Sequence, residues 1–283
     1  MEESELLLSG AMRRRFFSRT GFAIWIGASV GVACVLPYVE ALTPALGQAA
    51  TRLGLPVALV VLLSLLQSAA MLGVMTFSGL WAAGKLSLGA PWLDAWLGGT
   101  PPPELRRAAF TAVALGLAVG VVLLALDVFL FLPLSPNAVG QLLRQPQPPA
   151  WTGLLASFEG GISEEVELRL FLLSFLALGL RRASSLVAGA RGADLTPAIF
   201  WTANVIAAVL FGLGHLPVTS HLIPLTALIV TRAIVLNGLV GLLTGYLFWR
   251  RGIEMAMLCH FCADIILHVV APLLQPLLLR VAP

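Results

Sequence analysis

The sequence predicts an all-α fold, a polytopic bundle of transmembrane helices, and three observations support this class. Hydrophobic residues make up 59% of the 283 residues, charged residues make up only 11%, and the mean hydropathy is +0.95. The apolar residues stand in runs long enough to cross a bilayer, which takes about 20 residues. Most charged residues lie at the ends of those runs. The composition therefore excludes an ordinary water-soluble domain, in which about a quarter of the residues are charged.

Three spans are predicted in the first half of the chain, at residues 21–38, 56–83 and 108–132. Basic residues precede the first span and fill the connection between the second and the third: Arg13, Arg14, Arg15, Arg19, Lys85, Arg106 and Arg107. Because loops rich in arginine and lysine stay on the cytoplasmic side, we expect both segments inside. The proline-rich connection at residues 133–150 carries only Arg144 and is expected outside.

Further spans are predicted in the second half of the chain, at residues 151–180, 197–216, 222–249 and 253–279. Residues 222–249 form either one long helix or two short helices broken at Asn237 and Gly238. The total is therefore seven or eight spans, and we favour eight. The sequence shows no internal repeat and no soluble domain, so the chain is expected to form one membrane-embedded unit.

An acidic cluster interrupts the fourth span, in the segment GISEEVELRLFLL at residues 161–173. It contains Glu164, Glu165, Glu167 and Arg169. An ionisable residue in a span costs about 3 kcal/mol on insertion scales, so it usually faces the protein interior and has a partner or a function. Glu165 and Arg169 are four residues apart on a helix and predict a buried ion pair. Glu164 is left free for chemistry.

Two histidine clusters lie in later spans. FGLGH places His215 one turn after Phe211, and HFCAD places His260 and Asp264 on one face of the last span, which His268 extends by another turn. A single histidine in a span is more often a packing residue than a catalyst. Polar clusters in three separate spans nevertheless predict one buried site, where carboxylates and imidazoles carry out acid and base chemistry.

The ordered motifs EExxxR, FxxxH and Hxxx(N/D) on apolar helices resemble the CPBP family of intramembrane endopeptidases. This family comprises CAAX proteases and bacteriocin-processing enzymes and is also called the Abi family. Here the motifs are EEVELR at residues 164–169, FGLGH at 211–215 and HFCAD at 260–264. The resemblance covers residues 151–266, and it is specific because the motifs occur together and in order. Residues 151–283 are therefore interpreted as the catalytic transmembrane core, and residues 1–150 as an N-terminal cytoplasmic segment followed by three transmembrane spans.

The resemblance implies an endopeptidase that hydrolyses a peptide bond with a glutamate-activated water. The implied catalytic residues are Glu164, Glu165, His215, His260 and Asp264, and the supporting residues are Arg169 and Phe211. Glu164 would be the base and His215 would assist the water, while His260 and Asp264 would stabilise the oxyanion. Glu165 and Arg169 would hold the fourth span in position. Many relatives have asparagine in the last motif, and an aspartate donates no hydrogen bond unless protonated, so Asp264 could instead orient His260.

A metal is not required by this interpretation, which favours a glutamate mechanism without a cofactor. Zinc remains an alternative, because Glu164, His215 and His260 could ligate it and leave a position for water. The segment CHFC brings Cys259 and Cys262 close to His260, but without a second cysteine pair we expect them to be small packing residues, as we do for Cys34.

The side on which the site opens follows from the span count. With eight spans the three motifs lie at similar depth near the outer face, and the basic segments, including residues 181–191, lie inside. Arg250 and Arg251 would then lie outside, which is one violation of the charge rule. Seven spans would place His215 and His260 nearer opposite faces. We therefore expect eight spans and a site that opens to the outside.

The expected substrate is a membrane-anchored peptide or protein, such as a leader, a C-terminal sorting tail or a CAAX-type sequence. The composition, rich in alanine and leucine with a single lysine, favours a bacterial inner membrane, and nothing indicates nucleic-acid binding. Two other classes use the same residue types. One is a proton-coupled transporter, which usually shows a repeated half, and the other is a non-catalytic immunity or scaffold protein.

Overall fold

The computed structural model describes residues 2–100, 104–145, 147–188 and 195–281. Within these ranges the chain forms helices and no strand, which confirms the predicted all-α class. The helices in chain order are α1 (Glu2–Leu42), α2 (Ala45–Leu53), α3 (Val57–Gly84), α4 (Pro91–Leu97), α5 (Leu105–Leu134), α6 (Pro136–Arg144), α7 (150–188), α8 (Pro197–Gly214), α9 (Leu216–Leu222), α10 (Ala227–Arg251) and α11 (253–281). Helices α5, α7 and α11 contain π-helical turns.

Six helical stretches in the described part of the chain are long and apolar enough to cross a membrane: Arg19–Leu42, Val57–Gly84, Leu105–Leu134, Pro197–Leu222, Ala227–Arg251 and Ile253–Leu277. Helix α7 is longer than any of them and contacts α1, α3, α8 and α11 within the bundle. Its charged motif residues pair with other protein groups, as charged residues inside a membrane usually do. We therefore count α7 as a seventh span.

The expected break at Asn237 and Gly238 does not occur, because α10 continues through both residues. The side chain of Asn237 donates a hydrogen bond to the carbonyl of Ala233 at 2.9 Å, so its polar group is satisfied within its own helix. Gly238 and Gly241 face Ala208 of α8, and their small size lets the two helices pack closely. The favoured count of eight is thus not confirmed: the described residues contain six candidate spans, and α7 would make a seventh.

The basic segments gather at one end of the bundle. The indole Nε1 of Trp92 donates to the carbonyl of Arg251 at 2.5 Å, and Arg181 donates to the carbonyl of Lys85 at 2.8 Å. The hydroxyl of Thr20, next to Arg19, donates to Asp94. Arg250 and Arg251 therefore lie on the same side as the other basic segments, which corrects the eight-span expectation and removes its violation of the charge rule. Arg191 and the prolines at 101–103 lie outside the described residues.

Small residues bring the helix backbones together around α7 and α11. A Cβ atom at Gly79 of α3 would lie 2.7 Å from the carbonyl oxygen of Leu170, and Gly116 of α5 similarly contacts Cys259. The hydroxyl of Ser163 donates to the carbonyl of Ala28 in α1 at 2.8 Å. As predicted, Cys259 and Cys262 are buried free thiols, whereas Cys34 is only half-buried. This packing holds the motif-bearing helices in contact.

Candidate active site

The acidic motif of α7 lies in π-helical turns. One turn covers Glu159–Glu164 and the next covers Val166–Leu173, and a third, Ile265–Val270, begins directly after Asp264 in α11. A π turn holds one more residue than an α turn and thereby redirects the side chains around it. Such turns occur frequently at functional sites. The backbone thus departs from regular helix at two of the three motifs.

Glu164 lies between two imidazole rings. Its Oε1 is 3.9 Å from Nε2 of His215, and its Oε2 is 3.7 Å from Nε2 of His260. The side chain of Glu164 is 20% exposed, whereas that of Glu165 is fully buried. Of the two adjacent carboxylates, only Glu164 can therefore meet a substrate or water.

His215 follows the last residue of α8 and is fixed by its own helix. Its Nδ1 is 3.0 Å from the carbonyl oxygen of Phe211, and the edges of the two rings meet at a centroid distance of 4.9 Å. A carbonyl oxygen only accepts, so Nδ1 carries the hydrogen, and in a neutral ring Nε2 is left as an acceptor. This acceptor faces Glu164.

Glu165 joins α7 to α11. Its Oε1 is 2.8 Å from Nδ1 of His260 and 3.3 Å from Nη1 of Arg169, and this confirms that Glu165 and Arg169 face each other. The guanidinium of Arg169 stacks over the ring of Phe211 at 4.9 Å, and that ring also contacts His260. Glu165 thus positions His260 and lies too deep to meet a substrate.

The contacts of His260 determine which of its ring nitrogens carry a hydrogen. Nδ1 donates to Glu165, and Nε2 faces carboxylate oxygens of Glu164 and Asp264, each at 3.7 Å. Ionised carboxylates only accept, so a hydrogen on Nε2 as well satisfies all three neighbours. The arrangement therefore favours an imidazolium at His260, whose Nε2–H is directed into the space beside Glu164.

Asp264 is enclosed by three groups. Its Oδ1 lies 3.7 Å from Nε2 of His260 and 3.8 Å from Nε2 of His268. Its Oδ2 lies against Gly160 of α7, where a Cβ atom would collide with it. Beyond His268, the hydroxyl of Tyr38 in α1 is 3.1 Å from Nδ1 of that histidine.

The structure thus brings together all five predicted catalytic residues and both predicted supporting residues. His268 lies on the same helix face as Asp264, as its spacing predicts, but it has no predicted role, and neither Tyr38 nor Gly160 is among the predicted site residues. Two consecutive glycines before the acidic pair were a signal for close approach. A lone tyrosine at the end of an apolar span carried no signal, because its partner lies 230 residues away in the chain.

Within the described residues, no group of three or more His, Cys, Asp or Glu side chains is arranged to hold a metal ion. The candidate zinc set, Glu164, His215 and His260, has its ligand atoms 3.7 and 3.9 Å apart around one carboxylate. Ligand atoms of a tetrahedral zinc, each about 2.0–2.2 Å from the ion, lie roughly 3.3–3.6 Å apart. The observed separations exceed this range by a few tenths of an ångström, so zinc stays an alternative that a chelator must test.

These helices and this buried array of carboxylates and imidazoles define a polytopic helical membrane protein with an acid–base site. Residues 146–266 match the family model described as type II CAAX prenyl endopeptidase Rce1-like. This segment therefore matches the CPBP family of peptide hydrolases, which confirms the predicted resemblance. No curated protein and no solved structure matches the chain. The matched segment contains all seven predicted site residues and excludes both Tyr38 and His268.

Proposed function

We propose that this protein is an intramembrane endopeptidase in which Glu164 activates water to hydrolyse a peptide bond of a membrane-associated protein or peptide. One observation carries the proposal: the partly exposed carboxylate of Glu164 lies between the Nε2 atoms of His215 and His260. One ring presents an acceptor and the other a donor, so water activation and oxyanion stabilisation are available on the two sides of one base. The family match supports the same reaction.

Attack begins with a water between Glu164 and His215. Two acceptors that share one water lie about 4.5 Å apart when each hydrogen bond is about 2.8 Å long, and the observed 3.9 Å approaches this separation. The water donates one hydrogen to each acceptor, which points its lone pair at the scissile carbonyl. Its oxygen forms a bond to the carbonyl carbon while Glu164 takes the proton.

The tetrahedral intermediate carries a negative oxygen, and His260 supplies the donor. Once Glu164 is protonated, it no longer competes for the Nε2–H of His260, which then donates to the oxyanion. Asp264 and Glu165 hold that ring from its two nitrogen atoms. Such a donor lowers a barrier by several kcal/mol in a site from which water is excluded, about 2.7–4 kcal/mol for one oxyanion contact.

Collapse of the intermediate completes the reaction. The carbon–nitrogen bond breaks, and the proton held by Glu164 passes to the leaving nitrogen. The products are an amine and a carboxylic acid, and Glu164 returns to its carboxylate form. Water supplies every atom added, so the chain's own residues suffice and the proposal is a mechanism without a metal.

The position of the site supports access from the outer side of the membrane. The C-terminus of α10 lies at the basic end of the bundle, so the opposite end holds the α8–α10 connection, which His215 precedes. Tyr38 near the end of α1 lies towards that same end, because Thr20 of α1 is at the basic end. The orientation expected from eight spans is thus retained for seven, and the separation of His215 and His260 that seven spans led us to expect does not occur, because both rings lie beside Glu164. An outward-opening site in a bacterial inner membrane favours a leader or sorting tail as the substrate over a cytosolic prenylated protein.

The test uses the purified full-length protein in lipid vesicles. Three synthetic peptides serve as probes: a leader-type peptide, a C-terminal apolar sorting tail and a farnesylated CAAX peptide. We expect the wild type to cleave one of them, and Glu164→Gln to lower the rate by about 10²–10⁴-fold, the range for loss of a general base. Glu167→Gln is the matched control, because it removes a carboxylate of the same helix that is absent from the contacts joining Glu164 and the histidines, and it should retain activity.

A chelator arm separates the two versions of the protease. Cleavage that persists in phenanthroline supports the glutamate mechanism, whereas loss of cleavage that added zinc restores would assign His215 and His260 as ligands. The rival classes are tested in the same vesicles. If the wild type cleaves no probe but moves protons in a Glu164-dependent way, the transporter replaces the protease. If it does neither, the non-catalytic scaffold replaces both.

A further inference from the structure

Tyr38 and His268 form a pair next to the proposed active site, and neither belongs to the segment that matches the family. Nδ1 of His268 is 3.1 Å from the hydroxyl of Tyr38, and its Nε2 is 3.8 Å from Oδ1 of Asp264. We infer that Tyr38 and His268 are positioning residues for the hydrolysis: Tyr38 fixes the hydrogen of His268 on Nε2, and His268 thereby holds Asp264 against His260. The inference rests on the proposed function and deepens it.

The neighbours of His268 determine which of its two ring nitrogens carries the hydrogen. A neutral imidazole carries one N–H and one acceptor nitrogen. The carboxylate oxygen of Asp264 lies 3.8 Å from Nε2, and its negative charge favours the hydrogen on that nitrogen, so Nδ1 is the acceptor. The hydroxyl of Tyr38 is its donor. His268 is thus the Nε2–H tautomer, opposite to His215, whose Nδ1 faces a carbonyl oxygen.

Packing keeps the pair in this geometry. The rings of Tyr38 and His268 meet edge to face at a centroid distance of 5.2 Å. Gly153 of α7 is buried against the carbonyl of His268, where a Cβ atom would collide with the backbone. The pair therefore joins three helices, α1, α7 and α11, at the carboxylate of Asp264.

Asp264 needs the Tyr38–His268 pair because its own contacts with the two imidazoles are weak. The 3.8 Å separation from His268 makes that contact electrostatic rather than a hydrogen bond, and the 3.7 Å separation from His260 is similar. Neither contact alone fixes the carboxylate, but together with Gly160 on the Oδ2 side they limit its rotation. Without the Nε2–H of His268, Oδ1 would turn away from His260, and the imidazolium would lose the acceptor that directs it.

The tautomer of His268 is measured first, because it does not depend on cleavage. The chain has four histidines, so nitrogen NMR of the full-length protein with ¹⁵N-labelled histidine resolves few signals, and His268→Gln assigns the relevant pair. We expect the hydrogen of His268 on Nε2, and a mixture of tautomers in Tyr38→Phe. Tyr246→Phe is the matched control, since Tyr246 is the only other tyrosine, and it should leave the spectrum unchanged. A hydrogen on Nδ1 in the wild type, or an unchanged spectrum in Tyr38→Phe, overturns the inference.

The kinetic arm uses whichever peptide the wild type cleaves. Tyr38→Phe should lower kcat about fivefold at unchanged KM, the equivalent of one neutral hydrogen bond. His268→Ala should lower it about tenfold, whereas His268→Gln should stay within about threefold, because an amide N–H can take the place of Nε2–H. A purely structural role would reduce folded protein instead of kcat, and equal kcat losses in the alanine and glutamine variants would overturn the inference. If the wild type cleaves nothing, the proposed function fails, and the tautomer still decides whether the chain from Tyr38 to Asp264 exists.

Discussion

Two ion pairs at π-helical turns of this bundle are satisfied to different degrees. Asp127 begins the π turn of α5, and its two oxygens receive Nε and Nη2 of Arg232 from α10 at 2.5 and 2.6 Å. Glu165 stands between the two π turns of α7, and only one of its two carboxylate oxygens, Oε1, contacts Arg169 and His260. The first pair is a closed fork between two helices, and the second is an open junction among three side chains.

The two pairs differ in how completely their polar atoms are satisfied. In the Asp127–Arg232 pair both charged groups form two hydrogen bonds, and both are partly exposed. At the open junction, Oε2 of Glu165 and both Nη atoms of Arg169 lack a hydrogen-bond partner among the described residues, although both side chains are almost completely buried. Unsatisfied buried polar groups are costly and are tolerated mainly where function requires them. The open junction stands next to the proposed base, whereas the closed fork does not.

Breaking the open junction should have the largest effect on stability. Arg169→Met leaves the buried carboxylate of Glu165 with His260 as its one cationic neighbour in the described part of the chain, and loss of one partner of a buried pair costs about 3–5 kcal/mol. The folded fraction after heating, measured by size-exclusion chromatography in detergent, would report this loss. Arg169→Lys keeps the charge and should lose less. Wild-type stability in Arg169→Met would show that His260 alone neutralises Glu165.

Opening the closed fork should cost less and leave catalysis intact. Asp127→Asn keeps the shape of the side chain but removes its charge, and hydrogen bonds to charged groups contribute about 1.5–3 kcal/mol. Heating curves should shift accordingly, while the cleavage rate per folded molecule stays at the wild-type value. In the Asp127→Asn background, adding Arg232→Gln should cost little more, since the pair is shared. A selective loss of kcat in Asp127→Asn would instead connect this pair to the active site.

The smallest effect is expected for Asp264→Asn, which tests whether Asp264 orients His260 through an acceptor oxygen. Asp264→Asn retains an acceptor oxygen for His260 and His268, so the cleavage rate should stay within about tenfold of wild type. Asp264→Ala removes that acceptor and should lower the rate by about 100-fold, the scale of one lost oxyanion-site group. The ratio of the two rates in the peptide assay gives the answer. Equal, large losses in both variants would mean that the negative charge of Asp264 itself is required.

The sequence predicted the bounds of helices well where they face lipid, and less well where they pack against other helices. Apolar runs such as residues 56–83 correspond to α3 almost residue for residue, because a bilayer accepts few other structures. The break expected at Asn237 and Gly238 was wrong for one tertiary and one local reason. The glycine is a contact with α8, and the asparagine bonds to its own helix.

The predicted site shows the same division. Motif order and spacing located Glu164, His215 and His260, because few charged or imidazole side chains occur within apolar spans without a function. Spacing also predicted the pair of Glu165 and Arg169, since residues four apart share a helix face. The sequence could not reveal that Glu165 also binds His260, because that contact joins two helices 95 residues apart in the chain.

The sequence by itself determined that this chain crosses a membrane as helices and which residues are candidates for its chemistry, since the first follows from composition and the second from the order and spacing of its motifs. Only the tertiary structure decided that the last long hydrophobic segment before Gly252 is one helix, that Arg251 joins the basic end, and that Tyr38 reaches His268. The physical reason is the range of the interactions. Hydrophobic transfer and helix hydrogen bonds act within a segment, whereas close packing and side-chain hydrogen bonds between helices depend on where the whole chain has folded.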